Sequence, residues 1–263
     1  MTETPETIRV ERREAIATVV LNRPAKRNSI GGAMMVELYE ALRAIAADGA
    51  VRVVVLRGQG ADFCPGADVK HYGGAGAAPA RPAWSTTREF NVAVLLHEMP
   101  AVTIAAISGA CAGAGFGWAC ACDLRIASET AKFNTAFLDV GVGGDMGGPW
   151  TLPRILGAAK ARELYFLPGK FDAAEARRIG LVSRVTAAAG FDAEVTALAD
   201  RLARAAPLAL TSMKANFLAA EKMGFADYIG LESEKHMRLF QTEDTTEAFR
   251  AFVEKRAPVF KGR

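Results

Sequence analysis

Two glycine-containing turns are the features of this sequence best suited to chemistry. They are Gly66-Ala67-Asp68 and Gly113-Ala114-Gly115-Phe116-Gly117, and each follows a predicted strand and opens a predicted helix. The first N–H groups of a helix have no partner inside it, and the helix dipole adds positive potential there. Either turn alone is explained by close packing. Two turns of the same kind predict a pair of N–H donors for one developing oxyanion.

The second turn must be distinguished from a dinucleotide-binding fingerprint. Its glycines are spaced Gly-x-Gly-x-Gly rather than Gly-x-Gly-x-x-Gly, and it lies in the middle of the chain. A nicotinamide-binding function is therefore not favoured.

Asp145 is a carboxylate whose sequence surroundings would suit a base. It lies between Gly144 and Met146 in a glycine-rich run, and an apolar helix is predicted from about Pro149. Desolvation there would raise the pKa of the carboxyl toward that of a useful base. The alternative is that Asp145 caps the helix. Asp139, nearby, is a weaker candidate that would only fix the loop.

Short β-rich runs alternate with helical patterns through the first two-thirds of the chain. Residues 8–12 and 16–21 predict a hairpin, while residues 51–57, 102–107 and 123–127 predict further strands. These strands supply the ends at which the glycine turns and their helices begin.

Helical spacing of apolar residues predicts the elements between those strands. One helix follows Ser29 as its cap, and other helices are predicted at residues 84–98 and 114–122. The apolar face predicted for the first helix consists of Met35, Leu38, Leu42 and Ile45. Their role would be to cover the sheet and to present the glycine turns at their first residues.

The last third of the chain is helical by pattern. Asp172 and Glu175 form a predicted capping box, and four amphipathic helices are predicted near the C-terminus. We therefore predict an α/β core at residues 1–200 and a helical C-terminal region at residues 201–263.

Composition excludes several classes of protein. Apolar residues make up 51% of the 263 residues, and 32 Lys and Arg face 29 Asp and Glu. No basic cluster with interleaved aromatics predicts nucleic-acid binding. No apolar stretch reaches the ~20 residues of a membrane span, and the first residues do not form a secretory signal. We expect a cytoplasmic protein without a membrane or nucleic-acid partner.

The four cysteines are expected to be buried thiols rather than metal ligands. Three of them, Cys111, Cys120 and Cys122, lie in one Ala- and Gly-rich apolar segment, which is typical of a reducing compartment. Cys120 and Cys122 could form a metal pair, but no second pair of ligands stands at zinc-site spacing. We therefore expect no metal.

Several motifs in fixed order resemble those of one enzyme family. They are Leu-Asn-Arg-Pro-Ala-Lys-Arg-Asn at 21–28, Asp-Phe-Cys-Pro-Gly-Ala-Asp-Val-Lys at 62–70, Ala-Ala-Ile-Ser-Gly at 105–109 through Cys122-Asp123, and the segments 141–157, 173–185 and 252–256. Together they resemble the enoyl-CoA hydratase/isomerase (crotonase) family over nearly the whole chain. Each motif alone is only moderately specific, whereas their order and spacing are strongly indicative.

The resemblance implies a fold and an assembly. The fold would be a crotonase-like α/β spiral of ββα units, with the C-terminal helices assembling a homotrimer or a dimer of trimers. The substrate would be an acyl-CoA thioester, with coenzyme A as part of the substrate and no separate cofactor.

The resemblance also implies roles for particular residues. The N–H groups of Ala67 and Ala114 would bind the thioester oxygen. Lys26 would lie near the CoA phosphates, although a solvated loop lysine is the alternative. The groove would also be lined by Asp68, Val69 and Lys70, although Asp68 could simply cap a helical turn.

Four aromatic residues are candidates for the wall of an acyl pocket. Core packing is an equally good explanation for such a set. They are Trp84, Phe116, Phe137 and Trp150.

The chain departs from the family pattern at the acids. Hydratases of the family use two glutamates, and the corresponding positions here are Gly117 and Phe137. Related isomerases place an aspartate at the position of Asp145. We therefore predict an isomerase that shifts a double bond through a thioester enolate. The alternatives are hydration or another lyase reaction with atypical acids, and a catalytically silent acyl-CoA-binding paralogue.

Overall fold

The computed structural model describes residues 6–31, 33–68 and 88–263, which form two β-sheets flanked by helices. The strands include β1 (Ile8–Arg13), β2 (Ile16–Leu21), β3 (Val53–Gly58), β4 (Val102–Ile107), β5 (Ala110–Ala112), β6 (Leu124–Ser128), β7 (Lys132–Asn134), β8 (Phe171–Asp172) and β9 (Arg184–Thr186). The helices include α1 (Met34–Ala46), α2 (Val92–Glu98), α3 (Ala114–Ala121), α4 (Gly148–Leu156), α5 (Ala158–Phe166), α6 (Ala173–Arg178), α7 (Phe191–Ala203), α8 (Pro207–Ala220), α9 (Phe225–Leu239) and α10 (Glu243–Val253).

The large sheet has the strand order β1-β2-β3-β4-β6-β9. The predicted hairpin is confirmed, since β1 and β2 pair antiparallel with Ile8 opposite Leu21. The remaining pairs are parallel. All six residues of β4 are buried, as expected for a parallel strand covered on both faces.

The small sheet has the order β5-β7-β8 and gives the fold its spiral. The chain runs from β4 in the large sheet to β5 in the small sheet and then into α3. It next passes through β6 in the large sheet and β7 in the small one. This repeated order confirms the predicted α/β fold of ββα units.

Helices α1 and α3 fill the space on one side of the large sheet. The buried residues of α1 recur at three- and four-residue spacing, namely Met34, Leu38, Leu42 and Ile45. Every residue of α3 is buried. The predicted cap was wrong, because the residue before α1 is Ala33 and makes no side-chain cap. Ser29 is instead buried in the preceding loop.

The C-terminal third contains the four predicted helices, α7 to α10. Helix α7 covers the opposite face of the large sheet with Phe191, Val195 and Ala199. The division predicted after residue 200 falls inside α7 and stays a prediction. Among the described residues, no helix combines the length and the apolarity that crossing a bilayer requires.

A buried ion pair joins α8 to the large sheet. Lys214 Nζ lies 2.7 Å from Asp123 Oδ2 and 2.8 Å from the carbonyl oxygen of Ala101. Thr103 donates to the same Oδ2 from its N–H, at 2.7 Å, and from its hydroxyl, at 3.0 Å. The Lys214 side chain is only 5% exposed, against 27% for Asp123. Removing the lysine therefore leaves a poorly hydrated carboxylate beside the sheet.

We predict that Lys214→Ala lowers the free energy of unfolding by about 2–3 kcal/mol. This is below the range for breaking a fully buried pair, because Asp123 retains some solvent and two donors from Thr103. Urea denaturation at neutral pH measures the change. Lys222→Ala is the matched control, since it removes an exposed pair with Glu98 and should change stability by less than ~1 kcal/mol. Equal effects in the two variants would contradict the prediction.

Candidate active site

Main-chain hydrogen bonds join the two glycine turns. Cys64 N–H donates to Ala110 O at 2.8 Å, and Ala112 N–H donates to Cys64 O at 2.9 Å. This pairing continues β5 into the segment that carries the first turn, and it brings the two turns to the same point.

The two turns meet at Gly66 and Gly113. A Cβ on Gly66 would lie 3.1 Å from Ala112 O, and a Cβ on Gly113 would lie 3.6 Å from the Cα of Gly66. Both residues have positive φ, +93° and +54°, which favours glycine. The next peptide units in each turn, which carry the N–H groups of Ala67 and Ala114, are therefore close neighbours.

The N–H groups of Ala67 and Ala114 are both available as donors. Ile30 bonds to the carbonyl of Gly66 and to the N–H of Asp68, at 2.8 and 2.9 Å, so the intervening Ala67 N–H points away from it. Ala114 is the first residue of α3, which has no side-chain cap. Within the described ranges, neither N–H has a hydrogen-bond acceptor. Such a pair can donate to a single oxyanion.

Asp145 lies in the loop before α4, with one carboxylate oxygen enclosed by protein. Its Oδ1 is buried and has no hydrogen-bond partner among the described residues. Burial raises the pKa of Asp145 to about 6. The helix-cap interpretation is wrong, because Gly147 precedes α4 and no side chain caps it. The carboxyl group is therefore available for proton transfer in the neutral pH range.

Positions 117 and 137, where the resemblance implies the acids of hydratases, are occupied by apolar packing. A Cβ on Gly117 would lie 2.6 Å from the Cβ of Met146, so Met146 fills the space that a side chain at position 117 would need. Phe137 is 7% exposed, and its ring stacks on Tyr165 at 6.0 Å between centroids. Asp139 is exposed to solvent at the surface of the same loop.

Cys64 and Tyr165 are near Asp145, and the sequence analysis predicted neither neighbour. Burial raises the pKa of the Cys64 thiol to about 12, and the Asp145 charge adds to this shift. The pKa of Tyr165 is also raised, first by burial and then by Cys120 and Asp145. The only available signal for Tyr165 was the run of glycines around Asp145, which makes room for a large neighbour.

A buried asparagine holds the loop that carries Lys26. Asn28 accepts from Arg23 N at 2.9 Å and donates to the carbonyls of Gln59 and Asp62, at 3.0 and 2.6 Å. Lys26 itself is exposed in a short 3₁₀ helix, Pro24–Lys26. Sequence reasoning named Lys26 but missed Asn28, although both lie in the same motif.

Asp68 is tied to the same loop. Arg23 Nη2 donates to Asp68 Oδ2 at 3.3 Å, and the Asp68 side chain is 12% exposed. The other predicted groove residues, Val69 and Lys70, and the pocket candidate Trp84 lie outside the described residues.

Two of the candidate pocket aromatics belong elsewhere. Phe116 is fully buried and contacts Phe171 edge-on at 6.5 Å, which confirms the core interpretation. Trp150 contacts His97 at 5.1 Å and carries Arg154 over its ring at 3.8 Å. These contacts are on the side of α4 that faces α2 and α8.

Metal-ligating side chains do not cluster in the described part of the chain. No group of three or more His, Cys, Asp or Glu residues there is arranged to hold an ion. All four cysteines are buried and free.

A spiral of ββα units around paired, unoccupied N–H donors defines a crotonase-type α/β protein. The chain belongs to the enoyl-CoA hydratase/isomerase family, whose model matches residues 11–263. This family acts on acyl-CoA thioesters.

Known proteins resemble the chain over almost its whole length. A Rhodobacter capsulatus protein named "Probable enoyl-CoA hydratase" is 37% identical over 259 residues, covering 98% of each chain. The 1,2-epoxyphenylacetyl-CoA isomerase of Escherichia coli is 32% identical, covering 95% of this chain and 96% of that protein. The crystal structure of an enoyl-CoA hydratase from Polaromonas sp. JS666 superposes with a TM-score of 0.88 at 31% identity, covering 97% and 99%.

The raised pKa of Asp145 predicts a pH dependence of stability. Between about pH 4 and pH 6 the folded protein retains a proton that the unfolded chain has released, so stability falls as the pH rises. Asp145→Asn removes this loss. The urea midpoint of the variant minus that of the wild type should therefore increase across this window and level off above about pH 7. A difference that does not change with pH would contradict the prediction.

Proposed function

We propose that this protein moves a double bond within an enoyl-CoA thioester, using Asp145 to carry the proton. The observation that carries the proposal is the Asp145 carboxyl itself. It has a pKa raised to about 6, it makes no helix cap, and the positions of the hydratase acids are Gly117 and Phe137.

The reaction begins at the thioester. Its oxygen accepts hydrogen bonds from the N–H groups of Ala67 and Ala114, which stabilise the negative charge as the α proton leaves. Asp145 takes that proton from the α carbon of a 3-enoyl-CoA. The resulting dienolate is protonated by Asp145 at the γ carbon, which gives the 2-enoyl-CoA and restores the carboxylate. No metal, nicotinamide or flavin takes part, because the thioester itself acidifies the α carbon.

Hydration is the second candidate function, and the names of relatives favour it. Several similar proteins are named enoyl-CoA hydratase, and one from Escherichia coli is named 2,3-dehydroadipyl-CoA hydratase. Hydration by two glutamates would need a side chain at position 117, where Met146 leaves no space. A hydratase built on this chain would have to hold its water with Asp145 alone.

The binding of the CoA portion is part of the same proposal. Lys26, exposed on its 3₁₀ helix, is suited to the phosphates. The groove would continue along Asp68, Val69 and Lys70. Assembly into a homotrimer or dimer of trimers and a cytoplasmic location belong to the proposal as well, and both rest on the family resemblance.

The proposed function predicts different fates for two substrates. Purified protein should convert 3-enoyl-CoA to 2-enoyl-CoA, followed by absorbance of the conjugated thioester, and should hydrate 2-enoyl-CoA much more slowly. Asp145→Asn should lower kcat for isomerisation by about 10²–10⁴-fold, since an amide cannot take the proton.

Asp139→Asn is the matched control and should keep wild-type turnover, because Asp139 is an exposed carboxylate of the same loop. Efficient hydration by the wild type would favour the second candidate. Full isomerase activity in Asp145→Asn would remove Asp145 as the base. Tight binding of acyl-CoA without turnover of either substrate would indicate a silent paralogue.

Ala67→Pro tests the donor pair directly. Proline deletes the Ala67 N–H. This N–H donates no hydrogen bond within the described residues, so the fold should survive. We expect kcat to fall about 10²–10³-fold, as for loss of one oxyanion donor, or about 2.7–4 kcal/mol in barrier height. Circular dichroism and thermal denaturation establish that the variant is folded. A folded variant with wild-type rates would refute this role for Ala67.

A further inference from the structure

Two buried oxygen atoms, one on the proposed base and one on a neighbouring tyrosine, have no hydrogen-bond partner among the described residues. They are Asp145 Oδ1 and Tyr165 Oη. Buried polar atoms are normally satisfied, so such an exception calls for an explanation. One of these atoms is a donor and the other, when Asp145 is ionised, is purely an acceptor.

The loop that carries Asp145 is shaped around Tyr165. A Cβ on Gly148 would overlap Tyr165 Oη, and a Cβ on Gly144 would lie 3.4 Å from the edge of the same ring. Gly148 has no unusual backbone conformation. Glycine is therefore required at position 148 by the approach of the hydroxyl and not by the backbone.

Tyr165 itself is held in place. Its ring lies parallel to that of Phe137, with an interplanar angle of 16° and 6.0 Å between centroids. The backbone of Gly148 packs against the hydroxyl end of the Tyr165 side chain. Asp145 is the smaller side chain of the two, so a contact between them requires a turn of its carboxylate rather than of the ring.

The electrostatic surroundings favour such a contact. Asp145 and Tyr165 interact through space, since the Asp145 charge contributes to the raised pKa of Tyr165. The other titratable groups at this point are Cys64, beside Asp145, and Cys120, beside Tyr165. Burial raises the pKa of each thiol to about 12, so both stay neutral over the working range. Among these three described neighbours, Tyr165 is the one whose O–H can donate a strong hydrogen bond to an ionised Asp145.

Building on the proposed function, we propose that Tyr165 is a positioning residue for Asp145. Its phenolic O–H donates to Oδ1 of the ionised carboxylate after a rotation of the Asp145 side chain. Oδ2 is then left to meet the substrate. The hydroxyl thereby selects one orientation of the base and stabilises its charged form.

Tyr165→Phe tests the proposal, because it keeps the ring and its stacking and removes only the hydroxyl. We expect kcat for isomerisation to fall about tenfold with little change in KM, as for loss of an interaction that acts on the base rather than on substrate binding. The acidic limb of the kcat profile should move to higher pH, because the ionised carboxylate has lost a donor. A kcat and an acidic limb equal to those of the wild type would overturn the proposal.

A second measurement does not depend on turnover. The carboxyl of Asp145 can be titrated by 13C NMR in aspartate-labelled protein, with Asp145→Asn identifying its resonance. Tyr165→Phe should raise the pKa of that carboxyl, and an unchanged titration would overturn the proposal. Tyr228→Phe is the matched control and should change neither titration nor kcat, since its hydroxyl bonds to Glu232 on α9 at 2.7 Å.

The two proposals fail in different ways. Full turnover in Asp145→Asn removes Asp145 as the proton carrier of the proposed function, while the NMR titration still decides whether Tyr165 donates to the Asp145 carboxylate. Loss of turnover in Asp145→Asn, together with a wild-type profile and titration in Tyr165→Phe, removes only the role of Tyr165. Lowered thermal stability without a shift of either pH measurement would make Tyr165 a packing residue and overturn the proposal.

Discussion

The pairing of the Cys64 segment with β5 is the constraint on which the site depends. Two main-chain hydrogen bonds, from Cys64 to Ala110 and from Ala112 to Cys64, fix the register between segments almost fifty residues apart in sequence. Because the register is fixed, the turns at Gly66 and Gly113 meet back to back. The backbone itself thus builds the donor pair, and no side chain is needed to form it.

Close packing around this pairing leaves little freedom in the surrounding layers. A Cβ on Gly115 would overlap the carbonyl of Cys64, so α3 approaches the first turn at the distance that glycine permits. Deep burial also keeps the nearby thiols protonated, since desolvation raises their pKa values. These thiols therefore add no negative charge behind the donors that would weaken a hydrogen bond to an oxyanion in front of them.

The acid side of the site is built on a different principle. In place of a side chain at position 117, the loop before α4 brings Met146 against α3. Asp145 precedes Met146 in the same loop, and one oxygen of its carboxylate is enclosed by protein. The pair of backbone N–H donors is thus combined with a carboxylate that a loop supplies.

Sequence alone determined the α/β order, the hairpin, the four C-terminal helices and the two glycine turns. These follow from local periodicity, from turn chemistry and from motif order. The sequence-based prediction was wrong at Ser29, which lies buried in a loop and does not cap the helix. Only the tertiary structure decided that Asp145 makes no cap, that Met146 fills the space beside Gly117, and that Tyr165 stands against Gly148. These features depend on packing between different segments of the chain, and such packing produces no hydrophobic periodicity from which it could be predicted.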